Sequence, residues 1–308
     1  MTSVVRFSPA LGDWIHERLD RGSPPHELVQ TMVQQQMPAH AAQAIAAAFM
    51  LARGANTPYP VDSVLLADEP MPVAGPAHAD APGYRYDTPR LRPGTTIDAG
   101  DRLVRIAARA ERPALAVLAG VTSAAECEEL IEMARPRLTP STLVDPSSGR
   151  DVVTGLRTSL GMFFRPGENA LVARLGRRFA ELMSLPPEHG EGLQILHYRE
   201  GAGSAPHFDF LVPGNPSNRA SIERSGQRVS TLVAYLNDVP AGGETLFPAV
   251  GWAVSPQRGN AVYFEYANRF GELDHASLHA SNAVQRGEKW VATQWMRARP
   301  FVSARDAP

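Results

Sequence analysis

A single cysteine, Cys127, is all the thiol chemistry that 308 residues offer. One thiol closes no internal disulfide and builds no Cys-rich zinc site. Charge of one sign is equally scarce: 30 Lys and Arg against 32 Asp and Glu leave a net charge of −2. No global basic field exists to attract nucleic acid, and no such partner is expected. The cluster of Arg165, Arg174, Arg177 and Arg178 reads as a solvated helix face. No run approaches the length of uninterrupted apolar sequence that a membrane span needs, so no span is expected. Residues 1–14 show no basic stretch leading into an apolar run, which argues against a secretory leader. With the lone thiol, this points to a reducing cytoplasm.

What is present divides into three parts. In the first 55 residues, Leu11, Trp14, Ile15 and Leu19 share one helical face. Ser23-Pro24 suits a second helix start, followed by Leu28, Val29, Met32 and Val33. Pro38 opens a third run through Ala42, Ile45 and Phe49 to Gly54. The expectation is a small helical module over 1–55, a candidate surface for a protein partner. Residues 56–100 are punctuated by proline and read as an extended linker or wrapping arm, which Val64 and Leu65 could anchor. The remainder, 101–308, is α+β. Strands are expected at 103–106, 115–118 and 156–164. Ser123 with Glu126 forms a capping box, and Leu171, Val172, Leu175, Phe179 and Leu182 mark an amphipathic helix stopped by Pro186 and Pro187. After residue 190, short strands at 193–198, 229–236, 261–266 and 290–296 alternate with turns. The pattern is that of a double-stranded β-helix, or jelly roll, with supporting helices.

One short motif carries chemistry. His207 and Asp209 lie two apart, which on an extended strand sends both side chains to one face. With a second histidine they would form the two-His, one-carboxylate facial triad of non-haem Fe(II) oxygenases. Alone, a His-x-Asp is no more than a surface turn. His275 and His279 are both candidates for the third position and share the same parity. The spacing to Lys289, a lone cation on an apolar strand, favours His279, because ten residues suffice for a strand, a turn and a return. A buried lysine needs an anion, and the far carboxylate of 2-oxoglutarate would serve. The polar stretch 213–227 reads as a mobile lid over the substrate. His16, His26 and His40 read as surface residues.

From about 190 to 297 the sequence resembles the catalytic domain of prolyl 4-hydroxylases, within the 2-oxoglutarate/Fe(II) oxygenases. The matching segments run in order. Glu191 to Tyr198 and Gly201 come first, then Pro206-His207-Phe208-Asp209 and Arg228 to Val239. Gly242 to Pro248, Pro256, Gly259 to Ala261, His279-Ala280 and Gly287 to Trp290 follow. The resemblance implies that His207, Asp209 and His279 hold iron, and that Lys289 and Tyr198 bind 2-oxoglutarate in a pocket lined by Thr245. It implies that Arg228, Trp295 and Glu191 lie on the substrate side. Fe(II), 2-oxoglutarate and O2 are then the cofactor set, with ascorbate a candidate addition. The implied substrate is a prolyl residue in a peptide or protein. A free amino acid or another side chain is the alternative. Ser204 stands where the family often carries an aromatic residue, so the aromatic wall is either missing or supplied from elsewhere. Two other classes compete: a non-catalytic module sensing metal or 2-oxoglutarate, and a cupin-like metal enzyme with no use for Lys289 or Tyr198.

Overall fold

A computed structural model describes residues 3–50, 59–66, 84–140, 143–144, 151–152 and 159–303, apart from residues 22, 24, 36, 39, 40, 43, 47 and 215. The chain splits into two compact units, residues 1–73 with 152–156 and residues 74–151 with 157–308.

In the first unit, helices Pro9–Asp20 and Pro25–Gln34 follow the apolar spacing, and described residues between 41 and 50 are helical as well. The Ser8 side chain accepts from the Leu11 amide and caps the first helix. Ile15, Leu19, Leu28, Met32, Ile45 and Phe49 pack into one small core. The sequence gives no warning of the antiparallel pair Ser3–Arg6 with Ser63–Leu66. That pair draws residues 63–66 out of the expected linker and buries Val64 in the unit's core. His16 is exposed and pairs with Asp20, whereas His40 and the His26 side chain lie outside the described residues.

Elements of the second unit are numbered here in chain order. Its larger sheet takes in β1 (Thr96–Asp98), β2 (Leu103–Glu111), β3 (Ala114–Ala119), β4 (Thr139–Pro140), β5 (Leu160–Phe164) and β6 (Leu193–Tyr198). Strands β8 (Arg228–Tyr235), β12 (Ala261–Glu265) and β15 (Lys289–Arg297) complete it, in the order β1-β2-β3-β12-β8-β15-β6-β5-β4. A second sheet runs β7 (Ser204–His207), β13 (His279–Ser281), β10 (Thr245–Phe247), β11 (Trp252–Val254). Strands β9 (Ala241–Gly242) and β14 (Val284–Arg286) pair separately.

Alternation along the central strands gives each face its own core. Leu193, Ile195, Leu232, Tyr263 and Ala292 meet helices α1 (Ala124–Ala134) and α2 (Ala170–Leu182) through Leu130, Leu175 and Phe179. Leu196, Tyr235, Phe264 and Val291 face the other way and meet Phe247 and Val254 of the second sheet. These two sheets with a shared core are the expected jelly roll. The capping box of Ser123 and Glu126 closes at both bonds, and all five expected apolar positions of α2 are buried.

Several expectations need correction. Strand β5 begins at Leu160, and residues 153–158 lie outside the description. The stretch expected as a loop at 213–227 contains a helix, α3 (Pro216–Ser225). Its carbonyls accept from distant arginines, Arg297 to Ser221 and Arg299 to Ile222. Arg178 does not lie on a solvated face. It is 2% exposed and chelated by Asp101 and Glu126 at 2.7–2.9 Å. The stretch from residue 84 is bound to the second unit, with Arg85 bonded to Glu272 and Arg90 to Glu265.

Candidate active site

Register brings the distant motifs together. His207 closes β7 and is the cross-strand partner of His279, which opens β13. Asp209 falls in the bend just past β7, so the carboxylate reaches the site from a turn and not from the same strand as His207. Ligand atoms of His207, Asp209 and His279 all lie within 4.8 Å of one another. Each Nε2 sits 3.8 Å from an Asp209 oxygen. His275 is elsewhere, edge-on to Phe208 and Phe210.

The donor set is preorganised. Nδ1 of His207 lies 2.9 Å from the carbonyl of Ala205, and Nδ1 of His279 lies 3.1 Å from that of Ser277. A carbonyl only accepts, so each Nδ1 carries the proton and each Nε2 presents its lone pair inward. Thr231 donates to Asp209 Oδ2 at 2.7 Å and fixes the carboxylate. Burial alone would push Asp209 up, but the charge that His279 and His207 carry when protonated, with Arg228 and the Thr231 hydroxyl, outweighs it and holds the carboxyl below its ordinary value, so the carboxylate is ionised and a metal would bind by displacing the imidazole protons. Two neutral imidazoles and an ionised carboxylate match the donors a ferrous ion takes on one octahedral face.

Lys289, 2% exposed, faces Tyr198 directly across the β6–β15 register. Its Nζ donates to the Gly243 carbonyl at 2.6 Å and to Ser281 Oγ at 2.9 Å. It also lies 5.3 Å and 5.7 Å from the ring centroids of Tyr198 and Tyr235. Gly242 and Gly243 hold positive φ, and a Cβ on Gly242 would come within 2.3 Å of the Ala283 carbonyl. Only glycine permits the turn that aims the Gly243 oxygen at the ammonium. Among the described residues no carboxylate lies within ion-pair distance of Lys289. Burial therefore pulls its pKa down to about 7, with Glu244 a partial offset. A buried cation that lacks a counter-ion is a fit for a carboxylate ligand. Thr245 is the register partner of Ser281 and accepts from the Tyr235 hydroxyl at 2.8 Å. The sequence assigns Tyr235 no role beyond its place in the matching segment, because it lies among apolar residues.

On the other flank, Arg228 and Glu191 form a bidentate pair at 2.7 and 2.8 Å. Arg297 adds a third bond to Glu191 at 3.0 Å. The guanidinium of Arg228 lies 4.1 Å from the Trp295 ring, and its Nη1 reaches the Asp209 carbonyl at 3.3 Å. Both oxygens of Glu191 are thus taken by arginines. Its visible work is to aim Arg228.

Residues 193–297 match the family model of the 2OG-Fe(II) oxygenase superfamily. Prolyl 4-hydroxylase 1 of Arabidopsis thaliana is 37% identical over 202 residues, covering 61% of this chain and 70% of that protein. Probable prolyl 4-hydroxylase 3 of the same plant is 36% identical over 195 residues, covering 57% of this chain and 66% of that one. The chain therefore spans a little under two thirds of that relative's length. Among solved structures, the viral collagen prolyl hydroxylase of Paramecium Bursaria Chlorella virus-1 aligns at 27% identity and a TM-score of 0.47, covering 60% of this chain and 96% of that one. With a relative more than one third identical and covered over most of its length, the chain belongs to the prolyl 4-hydroxylase family of 2OG-Fe(II) oxygenases.

Proposed function

We propose that the chain is an Fe(II)- and 2-oxoglutarate-dependent hydroxylase that oxidises an aliphatic C–H of a prolyl residue in a peptide or protein. One observation carries this reading: a His-Asp-His cluster shares a barrel with a buried, carboxylate-free lysine. A metal-only cupin-like enzyme has no use for the lysine, and a prolyl hydroxylase needs both.

Under this reading His207, Asp209 and His279 hold the metal, and Thr231 with the two backbone carbonyls keeps their lone pairs aimed. Lys289 and Tyr198 grip the far carboxylate of 2-oxoglutarate, with Thr245 lining the pocket. Bound iron with 2-oxoglutarate and O2 supplies the oxidising power, and succinate and CO2 are the co-products. Arg228 and Trp295 hold the substrate, with Glu191 steadying Arg228. The enclosing aromatic residues Phe247 and Phe264 shield His279 from water. Ascorbate as an auxiliary, a cytoplasmic location and a protein partner for the N-terminal helices belong to the same proposal. Ser204 in the place of an aromatic residue makes a free amino acid or another side chain the second reading.

The test is anaerobic loading with Fe(II) and 2-oxoglutarate, followed by O2 in the presence of a panel of peptides and amino acids. Succinate release coupled to a gain of one oxygen mass on a prolyl peptide is expected. Succinate formation with no oxidised peptide would overturn the peptide assignment, and no succinate at all would favour a sensing module.

A further inference from the structure

Strand β5 turns an unusual residue outward. Its neighbours Met162 and Phe164 are buried in the core toward the helices, while Phe163 is 51% exposed. The backbone beneath it is fixed, because Arg137 donates to the Phe163 carbonyl at 3.1 Å and Gln194 of β6 is its cross-strand partner. A large exposed ring on a rigid strand is a platform, not a fraying end.

That platform is continuous with the candidate active site. The Phe163 ring centroid lies 6.2 Å from that of Trp295. Trp295 is the register partner of Thr231, which bonds the Asp209 carboxylate. Two polar atoms belong to the residues next to Phe163 on this sheet: Trp295 Nε1 and Gln194 Oε1 are buried and find no hydrogen-bond partner among the described residues. One donates and the other accepts, which is the complement of a peptide amide. From β8, which carries Thr231, to β5 is three strand spacings, roughly 14 Å, or about four residues of extended chain.

We propose that Phe163 is the wall of a second substrate subsite. It would take an apolar or ring-bearing side chain about four residues along an extended peptide from the residue that is oxidised, with Trp295 and Gln194 holding a backbone amide between. Phe163 thereby supplies, at a distance, the aromatic surface that Ser204 does not. This rests on the peptide-hydroxylase reading, and it makes specificity depend on chain length: a free amino acid cannot reach Phe163.

The experiment compares the wild-type chain with Phe163→Ala and Phe163→Tyr on substrates ranging from a blocked single residue to long peptides. For the wild type, KM should fall as the peptide becomes long enough to reach Phe163. Phe163→Ala should lose that gain, raising KM for long peptides about tenfold, while KM for short substrates and for 2-oxoglutarate stays unchanged. Phe163→Tyr should keep the gain. Fluorescence anisotropy of a labelled long peptide on the full chain, loaded with Fe(II) and 2-oxoglutarate under argon, should show the same loss in affinity. Equal KM and equal Kd for Phe163→Ala and wild type at every length would overturn the subsite while leaving the peptide reading standing. A wild-type chain that neither binds nor oxidises any peptide would overturn both.

Discussion

Lys289 concentrates the conflict between stability and function in one side chain. Its folded pKa is lowered to about 7 from the usual 10.5, first by burial, with Glu244 only a partial offset. The unfolded chain therefore binds more protons than the folded chain between pH 7 and 10.5. Stability of the ligand-free protein should climb with pH across that window and be lowest below it. Lys289→Met fits the same space without the charge. It should flatten that slope and stabilise the ligand-free protein at pH 7 by about 1–3 kcal/mol. It should also weaken 2-oxoglutarate binding about thirtyfold or more, since removing one partner of a buried charge pair costs about 2–5 kcal/mol. Urea unfolding and ligand titration read the two effects separately. A variant that is less stable yet still binds the keto acid normally would remove Lys289 from the pocket. Wild-type affinity for 2-oxoglutarate should decline as pH rises above about 7, because the ammonium form makes the bond.

At the scale of elements, α1, α2 and the turn that leads into β2 are tied by one guanidinium. Arg178 donates to Asp101, Glu126 and the Val121 carbonyl. Burial pushes Glu126 up, but the Arg178 bond, the Ser123 amide and the charges of Arg178 and Arg102 hold it at about 2, below the ordinary 4.5. A depressed carboxylate stabilises the fold above its unfolded pKa, and that share is lost as pH falls from 4.5 toward 2. Arg178→Gln should strip away this support: acid unfolding would begin at higher pH. Stability at pH 7 would drop by about 3–5 kcal/mol for the broken buried pair, with the half-exposed Asp101 adding little. An unchanged acid limb in circular dichroism would refute the assignment. Arg178 also shows where sequence reading stops. Arg174, Arg177 and Arg178 look alike in a row, and Arg178 is singled out only by its burial between Asp101 and Glu126, of which Glu126 is also reached by the more exposed Arg174. Helix α3 escaped for a related reason. Its residues are polar, with no apolar stripe to betray a period, and it is stitched down by Arg297 and Arg299 from the far end of the domain. By contrast, β6, β8 and β15 are legible because central strands buried on both faces are rich in β-branched, aromatic and aliphatic residues between turn signals. Lys289 stands out because a cation on such a strand demands a purpose, and His207 and Asp209 by their two-residue spacing together with a distant histidine. The Tyr235–Thr245 bond was not legible, since a tyrosine among apolar residues looks like core.

For the molecule as a whole, the question is where the catalytic unit begins. The family resemblance starts near residue 190 and the α+β pattern near 101, but physical ties reach further back. Arg90 donates to the buried Glu265 at 2.9 Å and to the Ala267 carbonyl at 3.0 Å. Arg85 holds Glu272, and Asn268 donates to the Arg85 carbonyl. These bonds clasp the 265–274 segment, which leads from β12 into His275 and on to His279 of the His-Asp-His cluster. Residues 96–98 add the edge strand β1. A chain beginning at residue 84 should keep the metal cluster, the lysine pocket and their affinities. A chain beginning at residue 101 should lose about 3 kcal/mol or more of stability, because Glu265 is left buried without its partner. Its Fe(II) affinity should fall as well, because the segment carrying His279 is freed. Thermal unfolding and anaerobic metal titration of the two chains distinguish the cases. Equal stability and equal metal affinity would mean that the 84–100 stretch only decorates the barrel. If the chain from 84 matches the full chain on short peptides yet has a higher KM on an intact protein substrate, then the helical unit recruits the substrate and takes no part in the chemistry.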